Sequence, residues 1–430
     1  LLVRAEQNEF LTRTGPGTPM GELFRRYWLP ALLASELPGP DCPPVRVRML
    51  SEKLIAFRDS QGRLGLIDEF CAHRGVSLWF GRNEESGLRC SYHGWKYDVT
   101  GQCVEIPSEP DNAKLCRRMK LKSYPLAERG GVLWTYMGPR ELQPPLPEHE
   151  WAMVPGSHCF VSKRWQECNY LQAMEGGIDS SHVSFLHRHT IKVDPMFKGA
   201  TQSHQYNLRD LAPHFEVVES AGGLYIGARR NADDGKHYWR ITQWVMPSFT
   251  LIPPRGDHPI GGHCWVPMDD ENCWAWSTNH HASRPLTKDE REAMEAGKGI
   301  HVPLIPGTTF RPAANKDNDY RMDRKAQKEG RTFSGVEGFA MQDASVQESM
   351  GPIQDRTREN LVPTDQGIIM ARRRLIAAAQ GLAKGKTPPG VDPRHQRVRS
   401  VSIILPPGVA FSEAAEDALV PEPGSAHATV

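Results

Sequence analysis

Two cysteines and two histidines occur in two short groups in the first quarter of the chain. The first group is Cys71-Ala-His73, and the second, after sixteen intervening residues, is Cys90-Ser-Tyr-His93. Each group offers one thiolate and one imidazole, so the four side chains can hold either one zinc ion or a [2Fe–2S] cluster. A zinc ribbon usually carries two cysteines per group. A cluster whose irons take both cysteines and both histidines, respectively, uses the mixed arrangement found here.

A second set of metal-binding side chains lies about one domain further along. Asp179 and His182 are three residues apart, which predicts a shared helix face. His187 follows five residues later, about 140° around an unbroken α-helix. Both histidines therefore reach one metal only if the helix widens or ends between them. Two histidines alone are a weak signal, and a core helix with surface histidines is the alternative interpretation.

The elements that must position these side chains change along the chain. Thr18-Pro19 is typical of a helix start. Alternating apolar residues then predict strands from Val45 to about Gly138, and prolines crowd the segment after that. We therefore expect four parts: an N-terminal helical lead-in at 1–44, a cluster-binding domain at 45–155, a catalytic domain at 156–408 and a flexible C-terminal tail at 409–430.

The second domain combines strands with helices. A hairpin is expected across Asp233-Asp234-Gly235, and Thr364 caps a run with one apolar face. The predicted fold class is therefore α+β. An all-β domain precedes a larger α+β domain, in which helices flank an antiparallel sheet in the helix-grip manner.

The composition excludes several classes of function. The chain has 430 residues, with 52 Lys and Arg against 51 Asp and Glu, giving a net charge of +1. Nucleic acid and anionic membranes are not expected as partners without a basic surface. No run of about 18 apolar residues occurs, and the first residues lack a secretory apolar region. Nine scattered cysteines argue against a disulfide framework, so a cytoplasmic protein is expected.

The paired groups around Cys71 and Cys90 closely resemble the Rieske centre. Gly75 and Gly94 allow the backbone to approach the inorganic sulfides, and Trp95 is suited to shield them from water. The resemblance implies one [2Fe–2S] cluster that passes single electrons. Its ligands would be Cys71, His73, Cys90 and His93.

The motif from Asp179 to His187 resembles the mononuclear metal site of the Rieske non-haem iron oxygenases. In that family two histidines and a distant carboxylate hold Fe(II) and leave positions open for dioxygen. The resemblance implies His182 and His187 as ligands, with Asp343 as the best downstream carboxylate. Asp355 and Asp365 compete with it, but the first precedes an arginine and the second begins a helix, where carboxylates are common.

The same resemblance gives Asp179 a different role. It implies a bridge that binds His182 of one subunit and the cluster histidine His93 of its neighbour, so that electrons cross between subunits. The family assembles head to tail, which implies a homo-trimer or a stacked hexamer. A carboxylate bound to a ligating imidazole also fixes the tautomer of that imidazole.

Segments near the C-terminus resemble the phthalate dioxygenase type. They are Gln347–Leu361, Thr364-Asp365 and Arg372–Leu375. The resemblance implies the oxygenase (alpha) subunit of a multicomponent system that uses O2 to cis-dihydroxylate an aromatic carboxylate such as phthalate. The chain has no G-x-G-x-x-G after a strand and no cysteine spacing of a plant-type ferredoxin. We therefore expect no bound NAD or flavin, and a separate NADH-dependent reductase with flavin and ferredoxin domains.

An aromatic carboxylate predicts at least one arginine in the pocket. Arg240 is the first candidate because Tyr238-Trp239 and Ile241 flank it on a predicted inner strand. Arg209 is the second, followed by Arg229 and Arg230; each of the later candidates is equally well explained as a solvated arginine. Ser180, and Ser181 beside it, could contact a second polar group of the substrate.

Three alternatives stay open at this stage. The chain could be a Rieske electron carrier whose second domain is inactive, or a zinc-binding module. Within the oxygenase family it could be an aromatic O-demethylase or a diaryl-ether-cleaving monooxygenase.

Overall fold

The computed structural model describes residues 4–109, 111, 113–197 and 202–425. They form two compact units. The smaller unit is Phe24–Leu146, and the larger one contains the described residues before Phe24 and from Pro147 onward. These divisions differ from the boundaries expected after residues 44 and 155.

The chain begins with two helices, α1 (Ala5–Thr12) and α2 (Pro19–Phe24). The smaller unit contains mostly strands. In chain order they are β1 (Trp28–Leu33), β2 (Val45–Met49), β3 (Glu52–Arg58), β4 (Leu64–Asp68), β5 (Arg82–Glu84), β6 (Gly87–Arg89), β7 (Lys96–Tyr97), β8 (Cys103–Glu105), then helix α3 (Ala113–Arg118), and β9 (Ser123–Tyr124), β10 (Leu126–Arg129) and β11 (Val132–Tyr136).

Three antiparallel sheets make up the smaller unit. Their strand orders are β1-β11-β10, β2-β3-β4-β9 and β5-β6-β7-β8. One core cluster contains Cys71, Cys90, Trp95 and Tyr97 together with aliphatic side chains. Cys71 follows β4 and Cys90 follows β6, so two different sheets carry the two predicted cluster loops.

The larger unit mixes helices and strands. Its further elements are α4 (Glu150–Met153), β12 (Cys159–Gln166), α5 (Tyr170–Ile178), α6 (Thr190–Val193), α7 (Gln202–Arg209), β13 (His214–Glu219), β14 (Gly223–Asn231), β15 (His237–Val245), β16 (Phe249–Ile252), β17 (Ile260–Pro267), β18 (Cys273–His280), α8 (Lys288–Glu295), α9 (Arg324–Lys328), α10 (Phe339–Glu348), α11 (Gln366–Leu382), β19 (Val401–Leu405), α12 (Phe411–Ala414) and α13 (Glu416–Leu419).

One antiparallel sheet organises the larger unit. Its order is β12-β18-β17-β16-β15-β14-β13, and β19 pairs with the first half of β15. Every residue of β17 and β18 is buried, because the strands are covered on both faces. Helix α5 packs against β15, β16 and β17, while α11 packs against β13 and β14. The all-β unit and the larger α+β unit confirm the predicted fold class.

The segment 409–430 differs from the expected flexible tail over its described part. Helices α12 and α13 bury Phe411 and Leu419 in a cluster with Trp239 and Ile241 of β15. Apolar burial of these two side chains supplies the stabilisation that an exposed tail would lack. Residues 426–430 lie outside the described residues.

The N-terminal lead-in also differs from expectation. The hydroxyl of Tyr170 on α5 donates to the Leu11 carbonyl of α1 at 2.8 Å, so α1 packs within the larger unit. Over the part of the chain that the structure describes, no helix has the length and apolar character needed to cross a membrane.

Candidate metal centres and substrate pocket

The two cysteine–histidine groups lie on loops with the same backbone pattern. In each loop the cysteine N–H donates to the carbonyl five residues on, at 2.9 Å from Cys71 and 2.8 Å from Cys90. Gly75 and Gly94 donate back to the cysteine carbonyls at 2.9 and 3.0 Å. Their φ angles of +73° and +77° are ones that glycine adopts without strain. The chain thus presents the two cysteines on matching turns.

The four side chains of these loops form two pairs, the two cysteines and the two histidines. Cys71 and Cys90 are each 3% exposed, and the exposed ring of His73 lies 4.4 Å from that of His93. The Trp95 indole stacks on His73 at 4.9 Å between ring centroids. Burial raises the pKa of the Cys71 thiol. Two buried sulfurs beside two outer imidazoles fit a [2Fe–2S] cluster with one ligand pair on each iron.

The Tyr97 hydroxyl contacts the sulfur of Cys71. Its oxygen accepts the Ala72 N–H at 3.1 Å and lies 3.2 Å from Cys71 Sγ. Burial, reinforced by the adjacent Cys71 thiol, raises the pKa of Tyr97, so the hydroxyl keeps its proton. When Cys71 ligates a cluster its sulfur carries no proton, so the Tyr97 hydroxyl is then the donor and stabilises negative charge on the sulfur.

We expect a Tyr97→Phe variant to have a lower cluster reduction potential. In the unaltered protein the hydrogen bond stabilises the reduced cluster, which is the more negative state. The loss of a bond worth about 1 kcal/mol lowers the potential by roughly 40 mV for one electron. A spectroscopic redox titration measures the shift. Tyr92→Phe is the matched control because it removes a hydroxyl that accepts from Arg74 at 3.5 Å and, among the described residues, contacts no cysteine, while the ring beside His93 is kept. An unchanged potential in Tyr97→Phe would contradict the expected bond.

The second motif lies where helix α5 stops. Asp179 has extended backbone angles, φ −83° and ψ 117°, and the Ser181 N–H donates to Asp179 Oδ1 at 2.6 Å. The prediction that Asp179 and His182 share a helix face is therefore wrong. A Cβ at Gly177 would lie 2.4 Å from the Trp265 ring, so close packing requires glycine there, and glycine weakens the helix.

Three side chains of the larger unit meet at one point. His182 starts a short 3₁₀ turn, His187 follows it, and Asp343 projects from α10. The two imidazole Nε2 atoms are 3.2 Å apart, and Asp343 Oδ1 lies 3.5 Å from His182 Nε2 and 3.2 Å from His187 Nε2. Ligands at about 2.1 Å from an octahedral metal stand roughly 3 Å apart, so this triangle fits one metal ion.

Asp179 orients one of these imidazoles. Its Oδ2 lies 3.3 Å from His182 Nδ1, on the opposite side of the ring from the converging Nε2 atoms. Burial alone would lower the pKa of His182, but the bond to Asp179 outweighs burial and raises it. For Asp343 the burial effect is outweighed by His187 and His182, which lower the pKa of the carboxyl. Two imidazoles and one ionised carboxylate suit a divalent iron.

A pocket opens at this triangle. Its wall combines apolar side chains with a few cations. The lining residues are Arg164, Gly176, Gly177, Asp179, His182, Val183, His187, Met196, Arg240, Ile252, Pro253, Pro254, Arg255, His258, Pro259, Gly261, His263, Trp265, Asn279, Gly299, Ile300, Phe339, Ala340, Asp343 and Gln347. A concave, mainly apolar pocket with a few polar groups is typical of a small-molecule site.

Arg240 lies in this wall on β15. The side chain is 6% exposed, and it donates to Ser180 Oγ at 3.0 Å and Thr242 Oγ1 at 3.4 Å. Burial lowers the pKa of Arg240, although it stays a cation at neutral pH. Ser180 is fully buried beneath it, so the structure brings these two predicted substrate residues together. Ser180 orients the guanidinium and does not line the pocket wall.

The structure places Arg209 elsewhere. It ends helix α7, its side chain is 57% exposed, and it pairs with Asp233 Oδ1 at 2.7 Å. Arg209 is thus held at the surface by a carboxylate and is absent from the pocket wall. Arg230 is buried, and it donates to the Ser180 carbonyl and to Ser184 Oγ. These bonds give it a structural role beneath the segment that carries His182 and His187.

Sequence reasoning missed two pocket arginines. Arg255 follows two prolines in the loop between β16 and β17, and burial and nearby Arg240 lower its pKa to about 10. Arg164 lies on β12, where it donates to Ser277 Oγ at 3.3 Å. Arg164 follows Lys163, which is also buried and contacts aromatic rings, so alternation along the strand did not distinguish the pocket arginine. No local pattern singled out Arg255.

Two family models match most of the chain. The model of the Rieske [2Fe-2S] domain matches residues 27–125, and that of the LigXa C-terminal domain like family matches residues 135–412. The chain belongs to the Rieske non-haem iron oxygenases. It carries a [2Fe–2S] cluster and a mononuclear iron, and it uses O2 as co-substrate.

The relatives of this Rieske oxygenase are oxygenase subunits. The 3-chlorobenzoate-3,4-dioxygenase oxygenase subunit of Comamonas testosteroni is 38% identical over 96% of this chain and 97% of its own. The phthalate 4,5-dioxygenase oxygenase subunit of Pseudomonas putida is 37% identical over 90% of this chain and 88% of its own. The alpha-subunit assignment and the phthalate dioxygenase-like subgroup are confirmed.

A solved structure supports the fold. Dicamba monooxygenase bound to dicamba has a TM-score of 0.56 and 19% identity, covering 84% of this chain and 99% of its own. As the oxygenase component of a multicomponent system, the protein requires a separate electron donor.

Proposed function

We propose that this Rieske oxygenase cis-dihydroxylates an aromatic carboxylate, phthalate or a related benzoate. The observation that carries the proposal is the buried Arg240 guanidinium in the pocket wall. Among the described residues it donates to hydroxyl oxygens and pairs with no carboxylate. A buried cation with neutral partners is stabilised by an anionic ligand, and an arginine fork matches a carboxylate bidentately.

The pocket also favours a substrate with more than one acidic group. Arg255 lines the same pocket, and the nearby Arg240 contributes to the lowering of the Arg255 pKa. One arginine suits a monocarboxylate, whereas two suit phthalate. Two relatives named for 3-chlorobenzoate and phthalate are consistent with this substrate class.

We assign the residues as follows. Cys71, His73, Cys90 and His93 hold the cluster; His182, His187 and Asp343 hold the iron. The bound cluster supplies single electrons, and the bound iron, with positions left open by three protein ligands, supplies dioxygen activation.

The remaining roles belong to side chains around the pocket. Arg240 binds the carboxylate and fixes the ring, and Ser180 orients Arg240 through its hydroxyl. Ile252, Pro253 and Phe339 exclude water from the arene. Asp179 holds His182 and, in a homo-trimer or stacked hexamer, also contacts His93 of a neighbouring subunit, providing the electron route between chains. The donor is an NADH-dependent reductase with flavin and plant-type ferredoxin domains, and the system operates in the cytoplasm.

Product analysis tests the proposed reaction. The purified oxygenase, a reductase and NADH are incubated with phthalate, isophthalate, 3-phenoxybenzoate and vanillate. A cis-dihydrodiol from phthalate is the expected result. Formaldehyde from vanillate would assign O-demethylation instead, and a phenol from 3-phenoxybenzoate would assign ether cleavage. Absence of any oxidised product from the four acids would refute the carboxylate class.

We expect Arg240→Gln to raise the KM for phthalate by about 100-fold, because a hydrogen bond between charged groups contributes up to about 3 kcal/mol. Steady-state kinetics measure the change. Arg209→Gln is the matched control, since the exposed Arg209 pairs with Asp233 outside the pocket. Equal KM values for Arg240→Gln and the unaltered enzyme would remove the carboxylate from this position.

A further inference from the structure

Helix α10 contributes a second contact to the iron triangle. Gln342 immediately precedes the ligand Asp343 and is 1% exposed. Its Oε1 lies 2.7 Å from His187 Nδ1, the ring nitrogen that faces away from the metal point. The same helix therefore reaches the triangle twice, once through a carboxylate and once through an amide behind an imidazole.

The hydrogen bonds of the Gln342 amide fix its orientation. The amide nitrogen donates to the Val336 carbonyl at 3.0 Å and to Thr190 Oγ1 at 2.8 Å. A backbone carbonyl only accepts hydrogen bonds, so the NH2 group must face Val336. The amide oxygen is then the atom left to face His187.

The orientation of the amide determines the tautomer of His187. An amide oxygen only accepts hydrogen bonds, so His187 Nδ1 must carry a proton. In the neutral ring the lone pair then resides on Nε2, which lies 3.2 Å from both His182 Nε2 and Asp343 Oδ1. His182 donates the equivalent bond to the carboxylate Asp179, whereas His187 donates it to a neutral amide oxygen.

We propose that Gln342 is a positioning residue that holds His187 as an Nε2 ligand of the mononuclear iron. The proposal rests on the ligand set assigned under the proposed function, but it is independent of the substrate. Without the amide, His187 can exchange tautomers and rotate, so that its lone pair points to the metal for only part of the time. Outer partners of metal-bound histidines act on affinity in this way.

Iron affinity tests the proposal without turnover. In Gln342→Leu we expect the Fe(II) dissociation constant of the mononuclear centre to rise about 10- to 100-fold. Competition with a chromogenic chelator measures it, while an unchanged near-UV circular dichroism spectrum shows that the larger unit, which carries Gln342, is folded. A dissociation constant equal to that of the unaltered oxygenase would overturn the proposal.

Gln342→Glu separates hydrogen bonding from packing. Glutamate has nearly the size of glutamine and keeps an oxygen that can accept from His187 Nδ1, whereas leucine has none. We expect its dissociation constant to lie within about threefold of the unaltered value, a smaller loss than outer-ligand removal gives. A loss as large as in Gln342→Leu would show that the amide bond is not what matters and would overturn the proposal.

Gln172→Leu is the matched control for general destabilisation. Gln172 is 2% exposed on α5, and its amide donates to the Gln347 and Gly351 carbonyls without touching a ligand. Unchanged iron affinity in this variant supports a specific role for Gln342, and an equal loss in both overturns it. Failure to oxidise any carboxylate would refute the proposed substrate and leave these affinities as they are.

Discussion

An Asp179→Asn variant will keep both metal centres and lose about 100-fold or more of its turnover rate. The Ser181 N–H donates to Asp179 Oδ1 at 2.6 Å in the unaltered chain, and this donor needs an oxygen as its acceptor. In the variant the amide oxygen takes that position, so the NH2 group faces His182 Nδ1, which also donates. The variant therefore loses both the negative charge and the acceptor on the proposed route to His93 of the neighbouring subunit.

Metal content and single-turnover kinetics separate this effect from metal loss. With Fe(II) supplied in excess, to offset the weaker binding expected when His182 loses its outer acceptor, we expect a filled iron site and an unchanged cluster spectrum. The reduced cluster will no longer pass its electron on. Asp355→Asn is the control, because Asp355 is an exposed cap that accepts the Thr357 N–H at 3.1 Å. Full activity in Asp179→Asn would refute the bridging role.

The cluster loops were predictable because their information is local. Cys71 and Cys90 each occur in a short group whose glycine adopts a positive φ, and the two turns repeat one hydrogen-bond pattern. Each turn is closed by hydrogen bonds between residues no more than five apart. The ligand types and the glycine positions were therefore enough to predict the two loops from the sequence.

The end of helix α5 was less predictable. Spacing alone placed Asp179 and His182 on one helix face, but close contact with Trp265 of β17 requires glycine at position 177, just before the helix stops. Glu175, whose role the sequence did not explain, is buried and accepts from Arg356 and Arg372. Such long-range contacts are set by the tertiary fold.

The substrate arginines show the same limit. Arg240 was identified because aromatic and aliphatic neighbours mark an inner strand, and the structure buries it in the pocket wall. Arg209 carries equal charge but ends a surface helix beside Asp233. Arg255 reaches the pocket from a proline-rich loop, and loop geometry has no periodicity from which a direction could be predicted.

His182→Ala and Asp343→Ala will each remove the mononuclear iron and abolish oxygenation. Each side chain supplies one of the three atoms that converge within 3.5 Å of one another. The cluster is held by a different unit of the chain, so its visible bands will persist. The iron content should fall from three to two atoms per chain, because the mononuclear iron is lost and the two irons of the cluster remain.

The choice of carboxylate is tested by the same measurement. Asp365 bonds the Val362 N–H at 2.7 Å, and Asp355 caps the turn at Arg356–Arg358, so both are occupied away from the triangle. Asp355→Ala and Asp365→Ala should therefore retain three irons. The two metal centres of the family argue against both the electron carrier and the zinc-binding module that the sequence alone left open. Three irons that fall to two in Asp343→Ala alone among these carboxylate variants would establish Asp343 as the third ligand.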